Sequence, residues 1–138
     1  MEVSLRYADI NLYKYSAIKA FSGNQSFKDK SFNLKLKIIE ETEMFPELSI
    51  GFRDIIGTGK FSSEYIVSSK KIGDFDVSVG LGWGNFATDD GLENPFIRLN
   101  SSFGNREPGY QGIGGMLEYE KFFSGSKVSS FYGFEYIN

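Results

Sequence analysis

The run V-S-V-G-L-G-W-G, residues 77–84, limits what this chain can become more than any other stretch. Val77, Val79, Leu81 and Trp83 fall on one side of a strand; Ser78, Gly80, Gly82 and Gly84 fall on the other. Strand interiors usually exclude glycine, which weakens them and offers nothing to pack. A strand that keeps glycine at every second position has hydrocarbon for one face and almost no side chain for the other.

The same period of two recurs along the chain. Phe32, Leu34, Leu36 and Ile38 alternate with Asn33, Lys35 and Lys37, and Leu48, Ile50 and Phe52 with Ser49, Gly51 and Arg53. Tyr65 and Val67 oppose Glu64 and Ser68; Leu117 and Tyr119 oppose Glu118 and Glu120; Tyr132, Phe134 and Tyr136 oppose Gly133 and Glu135. About seven strands are predicted, over residues 3–13, 32–39, 46–54, 61–69, 75–84, 112–122 and 130–137. They make an all-β, antiparallel up-and-down meander in one domain spanning 1–138. By parity, the short links at 41–45, 70–74 and 123–128 share one rim, and those at 16–31, 55–60 and 85–111 share the other. Short turns on one rim and long loops on the other are the habit of outer-membrane barrels.

Composition excludes several classes. No apolar run approaches the roughly 18–20 residues of a membrane-spanning helix. Barrel strands alternate and average out polar, so a barrel stays open. A net charge of -3 argues against a nucleic-acid partner. There is no cysteine for a disulfide or thiolate site, and no histidine to serve as a base or metal ligand. The opening M-E-V-S-L-R-Y lacks the basic start and apolar core of a secretory signal, so either the protein is not exported or this is an internal piece of a longer chain.

No motif carries a chemical step. G-T-G-K at 57–60 has Asp54 and Phe61 where a phosphate loop needs Gly and Ser or Thr. It reads as a glycine-rich turn. D-D-G-L-E-N at 89–94 lacks the alternating ligands of a calcium loop and reads as a solvated acidic loop. The expectation is a protein that is not an enzyme and needs no cofactor.

The charges on the strands' second face are more informative: Lys35, Lys37, Arg53, Glu64, Asp76, Glu118, Glu120 and Glu135. In a soluble sandwich that face meets solvent; in a membrane barrel it lines the lumen. Pattern alone does not choose. Aromatics near strand ends (Phe61, Trp83, Phe86, Phe122, Phe123, Tyr136) suit an interfacial girdle.

One stretch is recognisable. Residues 46–70 carry Arg53-Asp54, then Gly57-Thr58-Gly59, then Ser62-Ser63-Glu64-Tyr65, followed by Gly80-Leu81-Gly82-Trp83-Gly84. K-S-F-N-L-K at 30–35, N-P-F at 94–96, F-F-S-G at 122–125 and F-Y-G-F-E-Y at 131–136 complete an ordered set. Over residues 30–138 the chain resembles the YjbH-type outer-membrane barrels linked to exopolysaccharide production in Gram-negative bacteria. The resemblance implies a segment of a transmembrane β-barrel, in a family that is often lipid-anchored and whose partners secrete or modify an extracellular polysaccharide. Outer-membrane lipid, exopolysaccharide and secretion-system proteins are the partners it implies. Family members are longer, and single-chain bacterial barrels start at eight strands, so an internal window of a longer barrel is expected.

In that setting Leu48, Ile50, Phe52, Val77, Val79, Leu81 and Trp83 face lipid. Lys35, Lys37, Arg53, Glu64, Asp76, Glu118 and Glu120 face the lumen, and the glycines face a crowded interior. The competing expectation is a soluble β-barrel or sandwich that binds a carbohydrate or small ligand through Tyr110, Trp83 and Phe86, with its apolar faces converging on one core. A glycan enzyme using paired carboxylates ranks below both.

Overall fold

A computed structural model of the chain describes residues 1–107 and 117–137. The strands are β1 (Glu2–Lys14), β2 (Ser26–Ile39), β3 (Glu47–Arg53), β4 (Ser63–Ile72), β5 (Phe75–Gly82), β6 (Leu92–Glu93) and β7 (Lys127–Tyr136). They form one antiparallel sheet in the order β1-β2-β3-β4-β5-β7-β6. The sheet is open, because no pairing joins β1 to β6 or β7 among the described residues. Among them, too, no helix is long and apolar enough to cross a membrane, which says nothing of crossing by strands.

Register assigns the faces. Val3, Leu34, Phe52 and Glu64 lie side by side across four strands, as do Ile50, Ile66 and Leu81. Val79 faces Tyr132, and Val77 faces Phe134. This apolar face is largely uncovered: Leu5 is 74% exposed, Phe134 76% and Tyr132 85%. The opposite face carries Lys35, Gly51, Tyr65 and Gly82 in one row, and Val67, Gly80 and Phe131 in another. It is concave, since one cavity of about 830 Å³ is lined from Glu2 on β1 to Phe131 on β7.

The burial is inverted relative to a soluble domain. Among the described residues the buried apolar side chains are Phe27, Trp83 and Val128. Asp29, Ser31, Ser49, Asp54, Ser63, Glu64 and Asn94 are buried with them. The apolar faces therefore do not converge on one core, contrary to the soluble-sandwich expectation.

Two further expectations are corrected. The stretch 26–31, expected in a loop, extends β2 back to Ser26. Its alternation is reversed: Lys28 and Lys30 lie on the outer face opposite Asp9 and Tyr7, while Phe27 and Asp29 turn inward. A hydrophobic pattern cannot show such a strand. The strand expected at 112–122 is not formed over its described part. Tyr119–Lys121 is a single 3-10 turn, and residues 112–116 lie outside the described residues. The turn at 123–128 therefore shares a rim with the loop that precedes it. Between Gly82 and Lys127 the described residues 83–107 and 117–126 lie at that rim and form a cap. On the other rim β4 and β5 are joined by the tight Gly73-Asp74 turn, with Gly73 at φ 63°.

The glycine stripe now has its reason. The Cβ that Gly51 lacks would stand 2.0 Å from Cζ of Tyr65; at Gly80 it would stand 2.3 Å from Cζ of Phe131; at Gly82, 2.6 Å from Cβ of Phe86. Each glycine gives its side-chain space to an aromatic ring, the arrangement known as aromatic rescue. Gly51→Ala should destabilise the sheet by about 1–3 kcal/mol, the range for overpacking. In a Tyr65→Ala background the same change should cost far less, because the three atoms nearest the added Cβ all belong to Tyr65. Chemical denaturation of the four variants in lipid tests this, and equal costs in both backgrounds would remove the ring as the cause.

Candidate functional site

The concave face brings polar and aromatic groups together around one cavity. Lys35 on β2 and Arg53 at the end of β3 line the cavity, with Ser4, Asn33, Tyr65, Phe86 and Phe131. The Arg53 guanidinium sits 5.3 Å from the centre of the Phe86 ring, within cation–π range. Tyr65 meets Phe86 and Phe131 edge-on, at 5.9 and 6.4 Å between ring centres. Glycines beneath these rings hold them against the sheet.

The loop between β3 and β4 closes one end of this face. Its backbone extends β2's pairing, with Ile55 N–H donating to Phe32 C=O at 3.1 Å. Thr58 Oγ1 then donates to Asp29 Oδ1 at 2.7 Å, and Arg6 completes an ion pair with Asp29. Arg6 also lies over the Phe61 ring at 4.9 Å. The G-T-G segment is thus a tether to β1 and β2 on the inner face. Gly57 is required there, since a Cβ would stand 2.6 Å from Lys30 C=O and 2.3 Å from Asp54 Oδ1.

Asp54 is the strained member of the tether. Its φ is 56°, a region that favours Gly, Asn and Asp. Oδ2 accepts from Phe61 N–H at 3.0 Å, but Oδ1 is buried with no hydrogen-bond partner. Burial first, and the nearby Asp29 carboxylate second, push its pKa above the usual 3.8. The folded state then holds the proton more tightly than the unfolded chain. This contribution to stability is complete below pH 3.8 and is lost as pH rises through the raised value. Asp54→Asn keeps an acceptor for Phe61 and tolerates the φ. It should be neutral or stabilising at pH 7 and flatten this part of the pH profile in thermal melts; destabilisation at pH 7 would argue against a protonation penalty.

The second assembly lies on the apolar face, beneath the cap. Glu64, 1% exposed, stands beside Phe52 in the register. Arg106 grips it with two hydrogen bonds, Nη1 to Oε2 at 2.8 Å and Nη2 to Oε1 at 3.0 Å. Phe123 N–H adds a third to Glu64 Oε2 at 3.0 Å, with Phe123 at φ 59°. The Arg106 guanidinium also donates to the carbonyls of Ser62 and Lys121. Trp83 is 0% exposed; its Nε1 donates to Asn94 Oδ1 at 3.0 Å, and its ring stacks on Phe96 at 5.4 Å. Asn94 Nδ2 in turn donates to the carbonyls of Phe103, Phe123 and Gly125. The cap is knotted at two side chains, Asn94 and Arg106.

These positions sort the residues expected from the sequence. Lys35, Lys37, Arg53 and Asp76 share the concave face. Lys37 pairs with Glu47 at 2.9 Å, and one Asp76 carboxylate oxygen is buried without a hydrogen-bond partner. Glu64 does not join them. β4 is turned over relative to expectation, so that Tyr65 and Val67 point inward and Glu64, Ile66 and Ser68 lie on the apolar face. Glu118 and Glu120 belong to the cap and not to a strand; Glu118 pairs with Lys121 at 2.6 Å. Leu48, Ile50, Phe52, Val77, Val79 and Leu81 share the apolar face.

Trp83 is shut under the cap, and Phe52 is partly covered by Phe122 and Phe123 at 4.8 and 5.7 Å. The expected aromatic girdle is dispersed. Trp83, Phe122 and Phe123 belong to the cap, Phe61 lies under Arg6, and Phe86 lines the cavity, while Tyr136 alone of the six stays at a strand end, its ring 5.4 Å from that of Phe75. Tyr110 lies outside the described residues. Nothing in the sequence marks Arg106, and Asn94 enters only as the last residue of D-D-G-L-E-N and the first of the N-P-F motif. The N-P-F and F-F-S-G motifs flank their contacts and were the available signal.

A single open antiparallel sheet, apolar and uncovered on one side and polar and concave on the other, defines the class of all-β protein to which this chain belongs. Residues 1–138 match the YjbH family, described as exopolysaccharide biosynthesis protein YbjH, and the chain is a member of that family. It is 41% identical over 136 residues to the uncharacterized lipoprotein YjbH of Escherichia coli (strain K12), an alignment that covers 99% of this chain and 19% of the relative. The chain thus spans about a fifth of that protein's length. No solved structure matches it.

Proposed function

We propose that this chain is part of the wall of an outer-membrane β-barrel that serves exopolysaccharide production or export without carrying out a chemical step. The observation that carries this reading is the inverted burial: uncovered Leu5, Val79, Tyr132 and Phe134 on one face, buried Asp29, Ser31 and Ser49 on the other. A protein in water minimises such an apolar face, whereas a barrel in lipid requires it. β4 and β7, at ten residues each, match the roughly 9–11 that a tilted strand needs to cross. The open edges are β1 and the part of β7 beyond its two-residue pairing with β6, and these are where the wall continues, since unpaired backbone in lipid costs several kcal/mol per group. Family membership supplies the exopolysaccharide. The lipoprotein relative is consistent with a membrane setting.

The chain has no cysteine, so single cysteines report cleanly. An environment-sensitive dye on Val79→Cys or Tyr132→Cys should emit to the blue in lipid bilayers and be quenched by brominated acyl chains. The same dye on Ser78→Cys, one residue away on the concave face, should do neither. Equal emission at all three positions would refute the wall.

A further inference from the structure

We infer that the concave cavity binds an acidic saccharide, with Lys35 and Arg53 meeting its carboxylate or other anionic group and Tyr65, Phe86 and Phe131 meeting the sugar rings. The inference deepens the exopolysaccharide reading and rests on it. The charged side chains lining the cavity are Lys35, Arg53 and Glu2, a net positive lining in a chain whose net charge is -3. Among the described residues neither Lys35 nor Arg53 has an ion-pair partner, although Lys37, next along β2, is paired with Glu47. Glu2 lies opposite Lys35 in the register without closing a salt bridge. Arg53 rests instead against the Phe86 ring. A guanidinium held in place by an aromatic, with its donors unspent on protein carboxylates, suits a bidentate anion.

The rings supply the second half of a saccharide site. They are displaced onto glycine backbone, which leaves the cavity open above them. Its 830 Å³ falls within the roughly 300–1,000 Å³ typical of ligand pockets. Ser4, Asn33 and Thr88 add hydroxyl and amide groups to the cavity lining. Neutral sugars would use the rings and these polar groups but leave both cations idle.

The test compares a tetragalacturonate with the same oligosaccharide after its carboxylates are reduced to alcohols. Binding to the lipid-reconstituted chain is measured by calorimetry at low and at moderate salt. The acidic form should bind at least tenfold more tightly, and the advantage should shrink with added salt. Lys35→Gln with Arg53→Gln should abolish the preference, while Lys37→Gln, which lies outside the cavity lining, should keep it. Trp83 emission and far-UV circular dichroism establish that the variants remain folded. Equal affinity for the two oligosaccharides would overturn the charge selection and leave a neutral-glycan site. Binding of neither would overturn the cavity as a glycan site altogether.

Discussion

Arg106→Ala should free the cap from the sheet and destabilise the fold by about 3–5 kcal/mol, the usual cost of leaving one member of a buried ion pair alone. The expected readout is local as well as global. Trp83, 0% exposed beneath the same cap, should shift its emission to the red, and the loop should become open to protease. Arg106→Lys should rescue little, because an ammonium cannot reproduce the two parallel bonds to Glu64 Oε1 and Oε2. Removing both charges, as Arg106→Met with Glu64→Leu, should cost less than Arg106→Ala alone, since no buried carboxylate is then stranded. Unchanged stability and unchanged Trp83 emission in Arg106→Ala would mean that Asn94 and the aromatic cluster hold the cap unaided.

Val79→Arg should have the next largest effect, and its size separates two environments. If the apolar face meets lipid, an arginine near the midplane costs roughly 2–4 kcal/mol. If it meets water, a surface substitution stays within about 0.5 kcal/mol. Val79 is already uncovered, so the change creates neither cavity nor overpacking. Reversible urea unfolding in bilayers measures the difference. Leu12→Arg, on the long first strand and 93% exposed, is a useful companion near the long-loop rim, where the penalty should fall toward 0–1 kcal/mol.

Much of the sheet was legible because alternation is a local property. The positions of β1, β3, β5 and β7 follow from it to within a few residues. The face of β4 did not. Tyr65 and Val67 look like the apolar side of that strand, but Tyr65 is committed to the space left by Gly51, and this glycine–aromatic pairing crosses strands. β2's first turn of alternation was hidden by charged residues on its outward side, Lys28 and Lys30. The cap was illegible for a different reason. Its two knots join residues as far apart as Glu64 and Phe123, and no periodicity announces a contact of that span. Trp83 illustrates the consequence: placed by its alternation on the lipid side, it is sealed by residues more than ten positions away.

The knot at Asn94 reaches beyond the cap. Its amide fixes the Gly125 carbonyl two residues before β7 begins at Lys127, and β7 must arrive with Phe131 over Gly80. A slip of one residue would turn every β7 side chain to the wrong face. The chain between β5 and β7 is long, and long closures are entropically slow to find. Once Asn94 has gathered its three carbonyls, that search is reduced to a short one. The cap thus acts as a ruler, delivering the last strand to its neighbour already counted out.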